Sequence, residues 1–216
     1  MLSVAVLISG GGSNLQAIVD LLSNESIDAH IVRVISNRPG VKGLERAEHA
    51  NIPTEVIDHT DYDTREDFDQ ALIQSLDAVQ SDLIVLAGFM RILTPRFVEH
   101  FSGRMINIHP SLLPAYKGLD THRRALADGV AFHGASVHFV TPELDAGAVI
   151  LQGRVPVYAE DDAAALQQRV HRIEHIIYPE VIRWFAAGRI GYEGNHTLLD
   201  GARLKTAPII DLAKPE

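Results

Sequence analysis

The chain has 216 residues, 46% of them hydrophobic and 22% charged, which is enough for one large domain with a full core. A formal net charge of -9 excludes the broad basic stripe that a nucleic-acid backbone requires, so a phosphorylated small molecule would need a local site instead. The absence of cysteine excludes disulfides and thiolate metal centres, and the first apolar run, residues 4–8, is too short to span a bilayer and has no basic leader or cleavage site, so a cytoplasmic protein is expected.

From the start, apolar runs alternate with amphipathic segments. Residues 2–9, 29–36, 54–57, 83–87 and 105–108 predict strands. Residues 15–22 and 64–79 predict helices, the second with Phe68, Ala71, Leu72, Leu76 and Val79 at helical spacing. This is the pattern of a parallel sheet covered by helices on both faces. Between the first strand and its helix stands Gly10-Gly11-Gly12-Ser13-Asn14, where glycines let the backbone approach an anion and the helix N-terminus offers free N–H groups. No lysine follows, so this is not a P-loop, and the third glycine of a dinucleotide fingerprint falls on Leu15. A tight turn with Ser13 as N-cap fits the same residues. Residues 86–93 stay apolar after their strand should end, which suits core or, at the carboxyl end of a strand, the wall of a ligand site. Thr94-Pro95 predicts the next helix start.

The stretch Asn107-Ile108-His109-Pro110-Ser111-Leu112-Leu113-Pro114 places an amide and an imidazole two residues apart on a strand, hence on one face, with prolines to end the strand. A neutral donor beside a group that titrates near neutrality suits the stabilisation of charge on a carbonyl oxygen, and so acyl transfer. Taken singly, Asn107 could cap a turn and His109 could be a buried structural histidine. Residues 136–140 and 148–157 predict strands joined by a loop too short for a parallel crossover, so an antiparallel pair is expected at one edge of the sheet. Asp145 in that loop reads by itself as a solvated turn residue, and His138 as a structural histidine behind the site. Asp162 predicts the cap of a helix from Ala163, which Pro179 should kink or restart before Ala187. Within it, His171-Arg172-Ile173-Glu174-His175 matches the H-x-x-E-H pattern of a zinc hydrolase. Against that, only residues 176–216 remain to supply a further acidic ligand, and the sheet-forming half would have no role. Residues 1–188 are expected to form a single domain, and 189–216 a loosely packed tail on it or extending from it.

The octapeptide resembles the core motif of the folate-dependent formyltransferases. Residues 8–17, 86–93, 136–140 and 174–179 extend the resemblance, in order, over nearly the whole chain, which is similar to the branch acting in de novo purine biosynthesis. The resemblance implies a doubly wound α/β fold, with a mostly parallel sheet and an antiparallel edge. It implies transfer of a formyl group from 10-formyltetrahydrofolate, a cosubstrate, to the amine of glycinamide ribonucleotide, giving formylglycinamide ribonucleotide and tetrahydrofolate. It calls for no metal, nucleic acid or membrane. Asn107 would donate to the developing oxyanion, His109 would stabilise it as imidazolium and supply a proton, and Asp145 would keep His109 charged. Gly12, Ser13 and Asn14 would hold the nucleotide phosphate, and Glu174 the ribose hydroxyls. Arg65, Met90, Arg91, Ile92, Leu93, Asn107, Thr141 and Asp145 would line the folate site. His171 stands where relatives often carry a longer polar residue. The alternatives are another formyltetrahydrofolate-using enzyme such as a deformylase, which carries an extra N-terminal domain, a tRNA formyltransferase, which carries an extra C-terminal domain, and the zinc hydrolase. The chain has room for neither extra domain. A non-catalytic nucleotide-binding module would leave the Asn107–His109 pair unexplained.

Overall fold

A computed structural model describes residues 1–24 and 27–213. Five parallel strands come first: β1 (Leu2–Ile8), β2 (Ala29–Ser36), β3 (Thr54–Val56), β4 (Leu83–Leu86) and β5 (Met105–His109). β6 (Phe132–Phe139) runs antiparallel to β5, β7 (Val149–Pro156) antiparallel to β6, and a late strand from the C-terminal segment, numbered below, closes that side. The helices are α1 (Ser13–Asn24), α2 (Lys42–His49), α3 (Arg65–Ala78), α4 (Pro95–His100), α5 (Thr121–Ala127) and α6 (Ala163–Ala186). After α6 come β8 (Ile190–Glu193), β9 (His196–Leu199) and β10 (Ala202–Arg203), which form a small antiparallel sheet, and β11 (Ile209–Asp211), which lies parallel to β7.

The main sheet has the order β11-β7-β6-β5-β4-β1-β2-β3. Alternation along β1 shows why both faces must be covered. Val4, Val6 and Ile8 pack with Leu15 and Ile18 of α1 and with Ile173, Ile177 and Val181 of α6. Ala5 and Leu7 face the other way, onto Phe68, Leu72 and Leu76 of α3, Phe97 of α4 and Phe101 just after it. Strand order reverses between β1 and β4, so the switch point lies at their carboxyl ends, where doubly wound sheets bind ligands. No helix among the described residues is long and apolar enough to cross a membrane.

Several expectations change. β6 begins at Phe132 rather than 136, because Gly134 lets the backbone pass against the carbonyl of Gly153 where a Cβ would collide. α2 and α5 are short helices that the sequence reading did not predict; α2 buries Gly43, Leu44 and Ala47 on one face. α6 runs as one helix through Pro179: Ile173, Ile177, Tyr178, Val181 and Ile182 are buried on both sides of the proline, and their burial offsets the lost backbone bond. The segment after Gly188, expected to pack loosely, contributes four short strands, at residues 190–193, 196–199, 202–203 and 209–211, and residues 214–216 lie outside the described part. Thr197 Oγ1 donates to Val149 O (3.0 Å), and the Tyr192 and Phe139 rings meet at 4.6 Å, so the small sheet is tied to the large one.

Candidate active site

β5 and β6 are in antiparallel register with Asn107 opposite His138 and His109 opposite Ser136. The chain turns immediately after His109, and a buried polar network fixes that turn. Ser136 Oγ donates to Ser111 O (2.7 Å) and accepts from Leu113 N–H (3.0 Å) and from Gln152 Nε2 (2.8 Å). Gln152 Nε2 also donates to Leu113 O (3.0 Å), and Ser111 Oγ to Ala115 O (2.6 Å). Ser111 and Ser136 are fully buried, which accounts for a serine in the octapeptide that would otherwise have no task. Ser136 and Gln152 escape the sequence reading. Their signal is a polar residue on each of two apolar strands, and only the register shows that the two face one another.

Beyond the turn, Asp145 comes into contact with His109. Its backbone is left-handed (φ 50°), and the loop closes at Gly147, where any Cβ would strike Phe139 O. Asp145 Oδ2 lies 3.3 Å from His109 Nδ1 and accepts from Gly118 N–H (2.9 Å), while His109 Nε2–H donates to Tyr116 O (2.9 Å). Both imidazole nitrogens therefore face acceptors, an arrangement that a doubly protonated ring satisfies in full. His138 is the opposite case. Burial pushes it down to about 4, so it is neutral near neutral pH. Its Nδ1–H is used on Phe139 O (2.9 Å), which leaves Nε2 as an acceptor for Asn107 Nδ2–H (3.2 Å). This fixes which end of the Asn107 amide faces the strand and which hydrogen stays free.

At the nucleotide end, Gly12 stands at the cap position of α1, since Gln16 N–H donates to its carbonyl (2.9 Å); Ser13 is the first helical residue, not the cap. Gly12 has φ +68°, and a Cβ there would lie 2.7 Å from Gly43 Cα, so loop and α2 meet backbone to backbone. Arg46 of α2 steadies the loop, donating to Gly11 O (2.8 Å) and Gln16 Oε1 (3.0 Å). Asn14 Nδ2 donates to Glu174 Oε2 (2.9 Å), which unites two segments 160 residues apart that were assigned to the same ligand. Burial raises the Glu174 carboxyl to about 7, and the Asn14 amide works against that rise. Turned toward α1, Glu174 is poorly placed as the base of a zinc site, and His171 and His175 simply stack, ring centroids 6.4 Å apart. Among the described residues no group of three or more metal-ligating side chains is gathered anywhere.

The segment expected to wall the folate follows β4. Met90 and Ile92 are 71% and 65% exposed, unusual for apolar side chains and suited to a flat ligand, while Leu93 is buried beneath them. Arg91 lies over the Phe68 ring (5.9 Å), and Asp69 Oδ2 accepts from Thr94 N–H (2.6 Å), which anchors the far end of the loop to α3. Arg65 is exposed one helical turn before Asp69, on the side of α3 that holds this loop. Thr141 opens the Asp145 loop and donates to Glu143 O (3.2 Å). The near end of the folate segment is held by Ser9, whose Oγ accepts from Met90 N–H (2.7 Å).

Comparison with known proteins gives the family and the fold. The family model for formyl transferase matches residues 2–182. The chain is 52% identical to phosphoribosylglycinamide formyltransferase of Escherichia coli (strain K12), covering 94% of this chain and 96% of that protein. It is 49% identical to trifunctional purine biosynthetic protein adenosine-3 of Homo sapiens, covering 87% of this chain and 18% of that longer protein. Among solved structures, phosphoribosylglycinamide formyltransferase from Coxiella burnetii superposes with a TM-score of 0.93 at 51% identity, covering 97% of this chain and 99% of that one.

Proposed function

Because the chain belongs to the formyl transferase family, we propose that it transfers the formyl group of 10-formyltetrahydrofolate to the amine of glycinamide ribonucleotide. The products are formylglycinamide ribonucleotide and tetrahydrofolate, as de novo purine biosynthesis requires. The observation that carries the reading is the Asn107–His109–Asp145 group at the carboxyl end of β5, with His138 orienting the amide from behind. As the amine attacks the formyl carbon, the carbonyl oxygen gains charge; the free Asn107 N–H and the His109 Nε2–H are its donors, the oxyanion replacing Tyr116 O as the acceptor for the latter. Asp145 holds the other side of the ring. The bond from carbon to the folate nitrogen then breaks, and the amine proton passes through an ordered water to that nitrogen.

On this reading Gly12, Ser13 and Asn14 hold the phosphate and Glu174 the ribose hydroxyls, while Arg65, Met90, Arg91, Ile92, Leu93, Asn107, Thr141 and Asp145 receive the folate. Residues 1–188 are the catalytic domain, and the strands at residues 190–211 brace it. The partners are small molecules, with no metal, nucleic acid or membrane, and the setting is the cytoplasm. A coupled assay that follows tetrahydrofolate release tests the proposal. Release should require glycinamide ribonucleotide. Release at the same rate without the nucleotide would make the protein a deformylase.

A further inference from the structure

The switch point between β1 and β4 separates the two loops assigned to the two substrates, the glycine loop after β1 and residues 88–94 after β4. One side chain spans it. Ser9, the residue between β1 and the glycines, accepts from Met90 N–H (2.7 Å) and donates its hydroxyl proton to Asn37 Oδ1 (2.6 Å). A serine hydroxyl has a single proton, so once Asn37 takes it the lone pairs are left for Met90. Asn37 is itself held, being 1% exposed at the end of β2, with its N–H on Ile8 O (3.4 Å) and its Nδ2 at His59 Nδ1 (3.2 Å). Ser9 is equally enclosed, at 7%. The loops leaving three adjacent strands thus share one hydroxyl, and that hydroxyl grips the backbone, not the side chain, of the folate segment.

The surrounding conformations suit a lever. On the Ser9 side the loop is pinned to α2, Gly10 O accepting from Gly43 N–H (3.0 Å) and Gly11 O from Arg46 Nε (2.8 Å), so a shift of the loop is passed on to Ser9 and not absorbed within it; on the other, Gly88 (φ +72°) precedes Met90 as a pivot. Displacement of Ser9 as the phosphate is gripped acts directly on the Met90 peptide, whose neighbours Arg91 to Leu93 form the folate wall.

Building on the formyl-transfer reading above, we propose that Ser9 is a positioning residue that couples the two sites, so that the nucleotide tightens binding of the folate and the folate tightens binding of the nucleotide by the same factor. Tetrahydrofolate carries no formyl group, so with glycinamide ribonucleotide it forms a pair that cannot react and that allows equilibrium titration. Calorimetric titration of tetrahydrofolate, with and without saturating nucleotide, should show tightening by about fivefold or more in the wild type, the lower end of ordinary coupling. In Ser9→Ala the tightening should fall to less than about twofold, with nucleotide affinity measured alone little changed and the folate KM raised more than kcat is lowered, since one neutral hydrogen bond is worth about two- to tenfold. Ser9→Thr, which keeps the hydroxyl, should restore the tightening.

Asn37→Ala leaves Ser9 in place but removes the acceptor that sets its polarity, so it should give an intermediate value, and it decides the matter if Ser9→Ala does not fold. Absence of coupling in the wild type, full coupling in Ser9→Ala, or full coupling in Asn37→Ala would overturn the proposal. A wild-type protein that transfers formyl groups but shows no coupling would sink this inference alone. One that neither binds the nucleotide nor transfers would sink the reading on which it rests.

Discussion

On the proposed mechanism Asn107 and His109 donate to one oxygen and Asp145 holds the far side of the imidazole, so their losses should not multiply. Asn107→Ala should lower turnover by about 10²–10³, as removal of an oxyanion donor ordinarily does. Combined with His109→Ala, the loss should be far smaller than the product of the two single losses, measured where chemistry limits the rate. His138 gives a separate expectation, because it never reaches the reacting atoms. In His138→Leu the Asn107 amide loses its partner, and kcat should fall about two- to tenfold, the worth of one hydrogen bond, with both KM values held. The shape of the pH–rate profile between pH 6 and 8 should not change, because His138, held at about 4, does not titrate there. A changed shape would mean that His138 exchanges protons during turnover. The pairing of Asn107 with His109 is legible in the sequence because it depends only on the two-residue repeat of a strand. The meeting of Asp145 with His109 is not legible from spacing, because it depends on the register of β5 with β6 and on a left-handed residue in a loop.

At the scale of elements, the glycine loop and α2 form one unit. Gly12→Val adds a side chain at φ +68° and against Gly43 Cα, so the loop must move away from α2. The nucleotide KM should rise steeply and the folate KM less, and equal increases in both would indicate general unfolding. Gly43→Ala should be milder, since its Cβ meets the movable end of Ile8 (2.5 Å) and, more stiffly, Gly10 O (3.0 Å). In sequence these glycines suggest an anion-binding loop. That Gly12 also serves contact between two backbones was hidden, because its partner Gly43 lies 31 residues away on another helix and only the fold brings the two together. The long strands and α3 were legible because one apolar repeat runs through each. β6 was cut short because His133 and Gly134 interrupt its pattern, and α6 read as broken because burial on both sides of Pro179 has no local signature.

For the whole molecule, buried titratable groups set the response to acid. His133 and His138 are each held down to about 4 by burial, whereas a histidine in the unfolded chain titrates at 6.5. Their contribution to stability is complete above 6.5 and is lost as pH falls toward 4, because in that range only the unfolded state takes up the proton. His122, His171 and His175 are shifted the same way by burial. Glu174 opposes them. Its carboxyl is raised from 4.5 to about 7, so its contribution is complete below 4.5 and is lost as pH rises through 7. Burial raises the Asp69 carboxyl as well, but five histidines outnumber these two carboxyls, so the urea midpoint should fall between pH 6.5 and 4.5, and His133→Phe should flatten that fall. A midpoint that rises over this range would contradict the assignment of these rings as buried and neutral. Chelator should leave turnover intact, and loss of activity on removal of a tightly held zinc would revive the H-x-x-E-H reading.

Both margins of the main sheet are strands of only three residues, β3 and β11. Behind β11 lies β7, eight residues long, with Ile150, Leu151 and Val155 fully buried, and Arg154 clasps Asp211 through two bonds of 2.6 and 2.9 Å. β11 therefore acts as a seal, since a β7 left uncovered on that side would offer a row of free N–H and C=O groups to any passing chain. A protein ending at residue 207 should still fold around α6 but should self-associate through that bared margin, seen as concentration-dependent light scattering that the full chain lacks. Ile209 of that strand pairs with Gln152, whose side chain holds Leu113 O and Ser136 Oγ, so the three residues that seal the sheet also back the turn that follows His109.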